Sequence, residues 1–474
     1  MDDVQMDASK PIVIVGHGPA ALLLALEIQH KGLPVVLVPQ PARGILPMNP
    51  ELVSINADGG LPSLFQHSIN LWRSASERLG LPALLQPKPT ADLASSPGRE
   101  KLLRDEAVID ALAGEKITFL PTEMLAENLR KWLAGSTVRG AKFDEGGQML
   151  VPNLEEILQT AIAERGIGTL SAAVVGLELG IHGPASVRLT LADGSAVEPS
   201  YVVLSSVELA KKLVPAAMLP PLRPARGHYL GFDVAPDVAS TLDLPLLVTR
   251  LQEGHMLIVQ RGGHVDVFYD AILEPRQATP KTEPDDALVV NLKQHMEKLF
   301  PTLYQHFGPA PAPAVAAYTQ WVTPDFLPAL GPWSTQPNII YSVGWVGREV
   351  TYAPAAAGNI LAFLTRPQEG IASEFKPRRF VENTWRQRIV TAGLAWKEES
   401  HGAAPTLTGK DAAYMNNVQA APTANAQYAG SINQVEKAIS AVSLKPQTQF
   451  REKNSKPKVT TAGIKNPPIT ADKK

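Results

Sequence analysis

A chain of 474 residues exceeds one ordinary hydrophobic core and suggests about two to four domains. Hydrophobic residues at 45% and charged ones at 19% describe a globular protein and exclude one that is mostly disordered. The 44 basic and 46 acidic side chains nearly cancel, which gives no general electrostatic reason to bind nucleic acid or an anionic membrane. The absence of cysteine excludes disulfides, zinc–thiolate sites, iron–sulfur clusters, cysteine nucleophiles and cofactors tethered through sulfur.

The 42 prolines make up about 9% of the chain where roughly 5% is usual, so many rigid loops are expected and an all-helical bundle is not. The longest apolar stretch, Pro19 to Leu26, is closed by Glu27 and falls far below the ~20 residues that a bilayer requires. Acidic residues follow Met1 where a secretory signal would carry positive charge. The expectation is a soluble, cytoplasmic protein.

In chain order, Pro11 to Val15 reads as a buried strand, Ala20 to Lys31 as a helix ended by Gly32, and Val35 to Val38 as a second buried strand. A βαβ unit of about thirty residues implies a parallel sheet. Helical patterns cover Leu64–Leu79 and Glu123–Leu133, and the Pro- and Ser-containing stretch Gln86–Gly98 reads as a surface loop. Asn153–Arg165 is an amphipathic helix, with Leu154, Ile157, Leu158, Ala161 and Ile162 at helical spacing. A meander follows, Ser186–Leu191 pairing with Val197–Leu204 around Ala192-Asp193-Gly194-Ser195.

From Gly227 to Tyr269 the chain is strand-rich, with Gly262-Gly263 marking a hairpin. Leu288–Phe300 is a helix stopped by Pro301; Ile339–Val343 is a buried strand and Ala353–Leu364 an alanine-rich helix. Interleaved parallel and antiparallel pieces suggest two domains built from non-contiguous segments. After residue 400 the chain has few large apolar residues, and its last 34 carry eight basic side chains against two acidic ones. Such a segment is expected to be a disordered tail; its charge would suit docking to an acidic protein partner.

The residues between the first strand and helix, Gly16-His17-Gly18-Pro19-Ala20-Ala21, match the G-x-G-x-x-G/A dinucleotide pattern. Gly16 lets the strand turn sharply, and Gly18 lets backbone approach a pyrophosphate. Ala21 permits close helix–sheet packing, and the helix N-terminus offers free N–H groups to the anion. The alternative is a tight strand–helix turn with no ligand. The acidic residue that usually closes the second strand and holds a ribose is absent, and Gln40 after Pro39 is the nearest polar substitute.

At this point the chain resembles the D-amino-acid-oxidase-like family of FAD-dependent amine oxidoreductases, which includes glycine oxidase and sarcosine oxidase. The resemblance runs from about Pro11 to Pro367. It rests on the Gly16 loop and on Gly147–Asn153 leading into a helix. It also rests on the Pro224-Ala225-Arg226-Gly227 turn, on Thr323-Pro324-Asp325-Phe326-Leu327-Pro328-Ala329-Leu330-Gly331, and on the closing segment Gly344 to Pro354.

The resemblance implies an α/β fold: an FAD-binding, Rossmann-like parallel-sheet domain with an interleaved, mostly antiparallel substrate domain. The first would take residues 11–75, 150–215 and 325–367, and the second 76–149 and 216–324. A helical extension over 368–400 and the tail over 401–474 would follow. It further implies FAD as cofactor, held by Gly16, Gly18, Pro19, Ala20, Ala21, Gln40, Gly344, Trp345, Val346, Glu349 and Val350. A small amine or amino-acid-like substrate would be oxidised by hydride transfer to the flavin, chemistry that requires no metal site.

Departures from the family pattern bear on activity. Trp345 stands at the family's His, and Glu349 replaces a glycine, placing bulk and negative charge where the loop would approach the flavin's pyrimidine edge. Gln320 stands where the family often has a substrate-clamping Arg, and Leu204-Ser205-Ser206 replaces the usual Ala-x-Gly. Arg348 is either a substitute anchor or a local ion pair with Glu349, and Tyr269 is either a substrate contact or a core residue. Two readings stay open: an active oxidoreductase whose main handle is not a free carboxylate, and a non-catalytic flavin-fold binding or scaffold subunit.

Overall fold

A computed structural model describes residues 9–16, 18–38, 68–112, 116–180, 186–251, 254–273, 283–307, 314–323, 327–333, 336–345, 349–366, 371 and 375–380. All of them fall in one unit of the chain, and a second unit, 391–393 with 422–474, holds no described residue. The expected tail, most of the expected helical extension, Gln40, Val346 and Arg348 therefore lie outside the described residues.

The chain opens with β1 (Ile12–Val15), α1 (Pro19–His30) and β2 (Val35–Val38), with Ile12 opposite Val35 in parallel register. Residues 19 to 28 of α1 are all buried, as expected of a helix with no wide polar face. Its one buried carboxylate, Glu27, pairs with Arg78 of α2 (Ser68–Leu79). Next come β3 (Leu85–Pro87) and β4 (Thr90–Ala94), which correct the surface loop expected over Gln86–Gly98. The prolines flank β4 and none lies inside it. Its backbone pairs on both sides, with Ala91 and Leu93 in the core.

After α3 (Pro97–Leu112) and β5 (Ile117–Pro121), the helix expected over Glu123–Leu133 is broken. A 3-10 turn, Thr122–Met124, is separated from α4 (Glu127–Trp132) by Leu125 and Ala126 in extended conformations. Then follow β6 (Gly140–Asp144), β7 (Gln148–Leu150), α5 (Leu154–Glu164), β8 (Gly168–Thr169), β9 (Val174–Leu179), β10 (Val187–Leu191), β11 (Ala196–Val197) and β12 (Tyr201–Leu204). The single strand expected over Val197–Leu204 is thus two. The first piece pairs Val197 with Leu189 in the meander, and the second lies parallel to β1. Pro199, with no N–H to continue a ladder, stands between them.

The remainder comprises α6 (Val207–Leu213), β13 (Arg223–Asp233), α7 (Pro236–Ala239), β14 (Leu246–Leu251), β15 (Gly254–Arg261), β16 (His264–Leu273), α8 (Asp286–Leu299), α9 (Pro301–Tyr304), β17 (Ala314–Val322), β18 (Ala329–Trp333), β19 (Gln336–Val343) and α10 (Glu349–Thr365). The hairpin expected at Gly262-Gly263 joins β15 to β16, with Gly262 at φ +60.

Two larger sheets organise these elements. A six-stranded sheet runs in the order β18-β19-β12-β1-β2-β8, parallel except at its β18 edge. Helices α1, α2, α5 and α10 share a core with residues of one face, and α6 with the β9–β11 meander shares a core with the other. An eight-stranded sheet, β17-β13-β16-β15-β14-β4-β6-β5, is antiparallel except where β14 meets β4. Helices α4, α8 and α9 pack against one of its faces.

The start of α10 is built around a defect. Pro354 lies inside the helix and offers no N–H to the carbonyl of Val350 four residues earlier. That carbonyl accepts instead from Trp72 Nε1 of α2 at 2.9 Å, and the next one, of Thr351, accepts from Ser68 Oγ. Trp72 is fully buried, so α2 completes the hydrogen bonding of the first turn of α10. Alanines 353 and 355–357 keep the helix slim where α1 packs against it.

Candidate cofactor and substrate site

The carboxyl ends of β1, β12 and β19 are followed by Gly16, Ser205 and Gly344. Strand β1 lies between β2, which follows it, and β12, which returns on its other side. This is the topological switch point, where parallel α/β sheets leave a ligand crevice. Gly16 adopts φ +149, and a Cβ there would lie 2.9 Å from Ser205 Cβ, so conformation and space both require glycine. Gly18 is extended and N-caps α1 without any side-chain cap, and Pro19 takes the first helical position. Ala20 and Ala21 are buried beneath the loop.

The structure brings this loop together with Glu349, at the start of the distant helix α10. Gly344 has φ +80, and a Cβ there would press on Thr323 Cγ2 at 2.8 Å. Trp345 forms a bridge with Val322 at the end of β17, tying the closing segment to the eight-stranded sheet. Glu349 begins α10, and its Oε1 accepts a hydrogen bond from Ala20 N–H at 3.2 Å. A Cβ built on Gly18 would overlap that carboxylate. The Glu349 carboxylate thus lies at the N-terminus of α1.

These residues fit a dinucleotide on three counts. Gly16 and Gly18 form a cradle that a Cβ would fill. The N-terminus of α1 has no capping side chain of its own and already holds an anion, in the form of the Glu349 carboxylate. Two buried polar atoms at the strand ends, Ser205 Oγ and Trp345 Nε1, have no hydrogen-bond partner among the described residues, although Trp345 is only 8% exposed. Buried polar groups are seldom left unpaired, and a polar ligand in the crevice would account for such a pair.

The eight-stranded sheet has two unlike faces. Tyr269 is 1% exposed and belongs to the core shared with Leu230, Met256, Val267 and α8. Tyr229, Val259 and Phe268 belong to a separate cluster with Met149, against which Tyr318 packs. Tyr269 is therefore on the helix-covered face and makes core contacts, which corrects its candidacy as a substrate-contacting tyrosine. Gln320 is half-buried and pairs in register with Ala225, two residues along β17 from Tyr318. Strand alternation puts both on the face that α8 does not cover. Gly227 is covered on that face by the Tyr318 ring, which leaves no room there for a Cβ.

On the same face is a buried polar trio that sequence reading missed. Asp266 accepts from Tyr229 Oη at 2.8 Å and lies 3.3 Å from Arg261 Nε. Burial, then the bond to Asp266, raises the Tyr229 hydroxyl well above its ordinary range. Burial lowers the Arg261 pKa, against the opposing effect of Asp266. Nothing local in the sequence marks this trio, since it joins residues from three strands. His264 at the start of β16 is exposed and pairs with Asp233 at 2.6 Å. Trp321 is core, with Nε1 donating to Glu208 at 2.9 Å.

Residues 11–364 match the family described as FAD dependent oxidoreductase. No curated protein matches the chain. Similar solved structures include L-proline dehydrogenase from P. horikoshii, at 16% identity and a TM-score of 0.62, covering 79% of this chain and 98% of that one. Glycine oxidase from Geobacillus kaustophilus is 17% identical with a TM-score of 0.61, covering 78% and 97%. Iminodiacetate oxidase from Chelativorans sp. is 15% identical with a TM-score of 0.63, covering 77% and 98%. At these identities the likeness shows the fold.

Proposed function

Since the chain belongs to the family of FAD-dependent oxidoreductases, we propose that it oxidises an amine or amino-acid-like substrate with FAD as its cofactor. The observation that carries this reading is the meeting, at the switch point of the parallel sheet, of the Gly16–Ala21 loop with the closing segment that begins at Gly344. When bound, FAD would accept a hydride from the carbon bearing the amine, leaving an imine that water hydrolyses. Gly16, Gly18 and the first N–H groups of α1 would hold the pyrophosphate. Ser205 Oγ and Trp345 Nε1 would bond polar atoms of the cofactor, and Trp345 and Val350 would wall its pocket.

On the substrate side, Tyr318 and Gln320 present neutral polar groups, while Arg261 stands toward the other end of the sheet, level with Asp233 and not with Ala225, and is engaged by Asp266. Recognition would then rest on shape and neutral hydrogen bonds, which favours amines and carboxyl-blocked amino acids over free amino acids. The test is anaerobic titration of the FAD-loaded protein with a panel of amines, amino acids and their amides. Bleaching of the oxidised-flavin band by members of the panel is the expected result. A second reading, a non-catalytic flavin-fold subunit, is favoured by the departures from the family pattern at Trp345 and Glu349. Bound FAD that no compound bleaches would select it.

A further inference from the structure

Glu349 is the first residue of α10, yet its carboxylate caps α1. Two helix N-termini therefore lie at one carboxylate, and both macrodipoles favour negative charge there. The carboxylate covers Gly18 and takes the N–H of Ala20, the donor that the glycine loop would turn toward a pyrophosphate. The backbone behind it is fixed independently, because the carbonyls of Val350 and Thr351 are tied to Trp72 and Ser68. Rotation of the Glu349 side chain would release the Ala20 N–H without breaking those two ties.

We infer that Glu349 is an internal anionic gate, a carboxylate that fills the diphosphate position in the empty protein and must swing out for the dinucleotide to bind. This rests on the FAD-binding reading above and assigns one residue control over it. A diphosphate cannot share the Ala20 N–H with a carboxylate, and like charges at contact distance repel in a partly buried site. Removing the charge should therefore strengthen binding. The same carboxylate supplies the empty loop with a counter-charge, so removing it should also lower the stability of the protein without cofactor.

The experiment compares wild type, Glu349→Gln and Glu349→Ala as full-length apoprotein, with FAD and ADP dissociation constants measured calorimetrically. ADP carries the diphosphate without the flavin. Both variants should bind FAD and ADP about tenfold or more tightly than wild type, and their melting temperature without ligand should fall. Unchanged dissociation constants with FAD still bound would overturn the gate and leave the FAD reading standing. Tightening for FAD and not for ADP would also overturn it, placing Glu349 at the flavin ring. Failure of wild type and variants alike to bind either ligand would overturn both, since releasing Glu349 would then have opened nothing.

Discussion

His228 makes stability depend on pH in a way that can be worked from its surroundings. It lies on β13 with no solvent exposure, and its Nε2 accepts the N–H of Asp285 at 3.0 Å, the residue that N-caps α8. Protonation would turn that acceptor into a donor facing an N–H, and Nδ1 has no partner among the described residues. Burial first, then the Arg226 charge, lowers its pKa to about 4 from 6.5, with Asp285 opposing. The unfolded chain therefore takes up this proton first as pH falls. The neutral ring's stabilisation is complete above pH ~6.5 and is lost progressively toward pH ~4. Between pH 7.5 and 5 the loss amounts to about 2 kcal/mol. Gln at position 228 keeps an acceptor for Asp285 and cannot titrate. Urea unfolding of wild type and His228→Gln at both pH values should show wild type losing about 2 kcal/mol more than the variant. An equal loss in the two proteins would refute the assignment.

Gly18→Ala should cost less than about 1 kcal/mol, because its φ of −64 suits alanine and the nearest atoms a Cβ would meet among the described residues are those of the Glu349 carboxylate, at the end of a rotatable side chain. It should nonetheless abolish FAD binding, which calorimetry checks. Trp72→Phe leaves the Val350 carbonyl without a donor and opens a void in the core, so a loss of about 3 kcal/mol is expected in thermal unfolding. Gln320→Arg should restore a clamp on the substrate face. The ratio of kcat/KM for a free amino acid to that for its amide should rise by about tenfold or more, and no change would remove Gln320 from the substrate site.

The parallel frame was legible because each of its signals is local. The apolar run of β1, the glycines after it and the helix that follows sit within about thirty residues. Strand β4 was hidden by its flanking prolines, which mark its ends and not its interior. The face of Tyr269 was illegible for another reason. Strand β16 is buried on both sides, so Val265, Asp266, Val267, Phe268 and Tyr269 show no apolar–polar alternation to read. The contact between Glu349 and Ala20 spans 329 positions of sequence, and no local pattern announces it. What the sequence did show was an acidic residue where glycine was expected.

Pro354 has a consequence for which parts of the molecule breathe together. A helix start that bonds only to itself frays alone, whereas this one takes a donor from Trp72 and another from Ser68. Opening α2 strips the start of α10 of both, so the two segments should form a single cooperative unit in amide hydrogen exchange, with matched protection factors. Residue 349 opens that unit. Local unfolding of a helix remote in sequence would therefore unseat the group that faces Gly18, giving a bulky ligand a second way in besides rotation of one side chain.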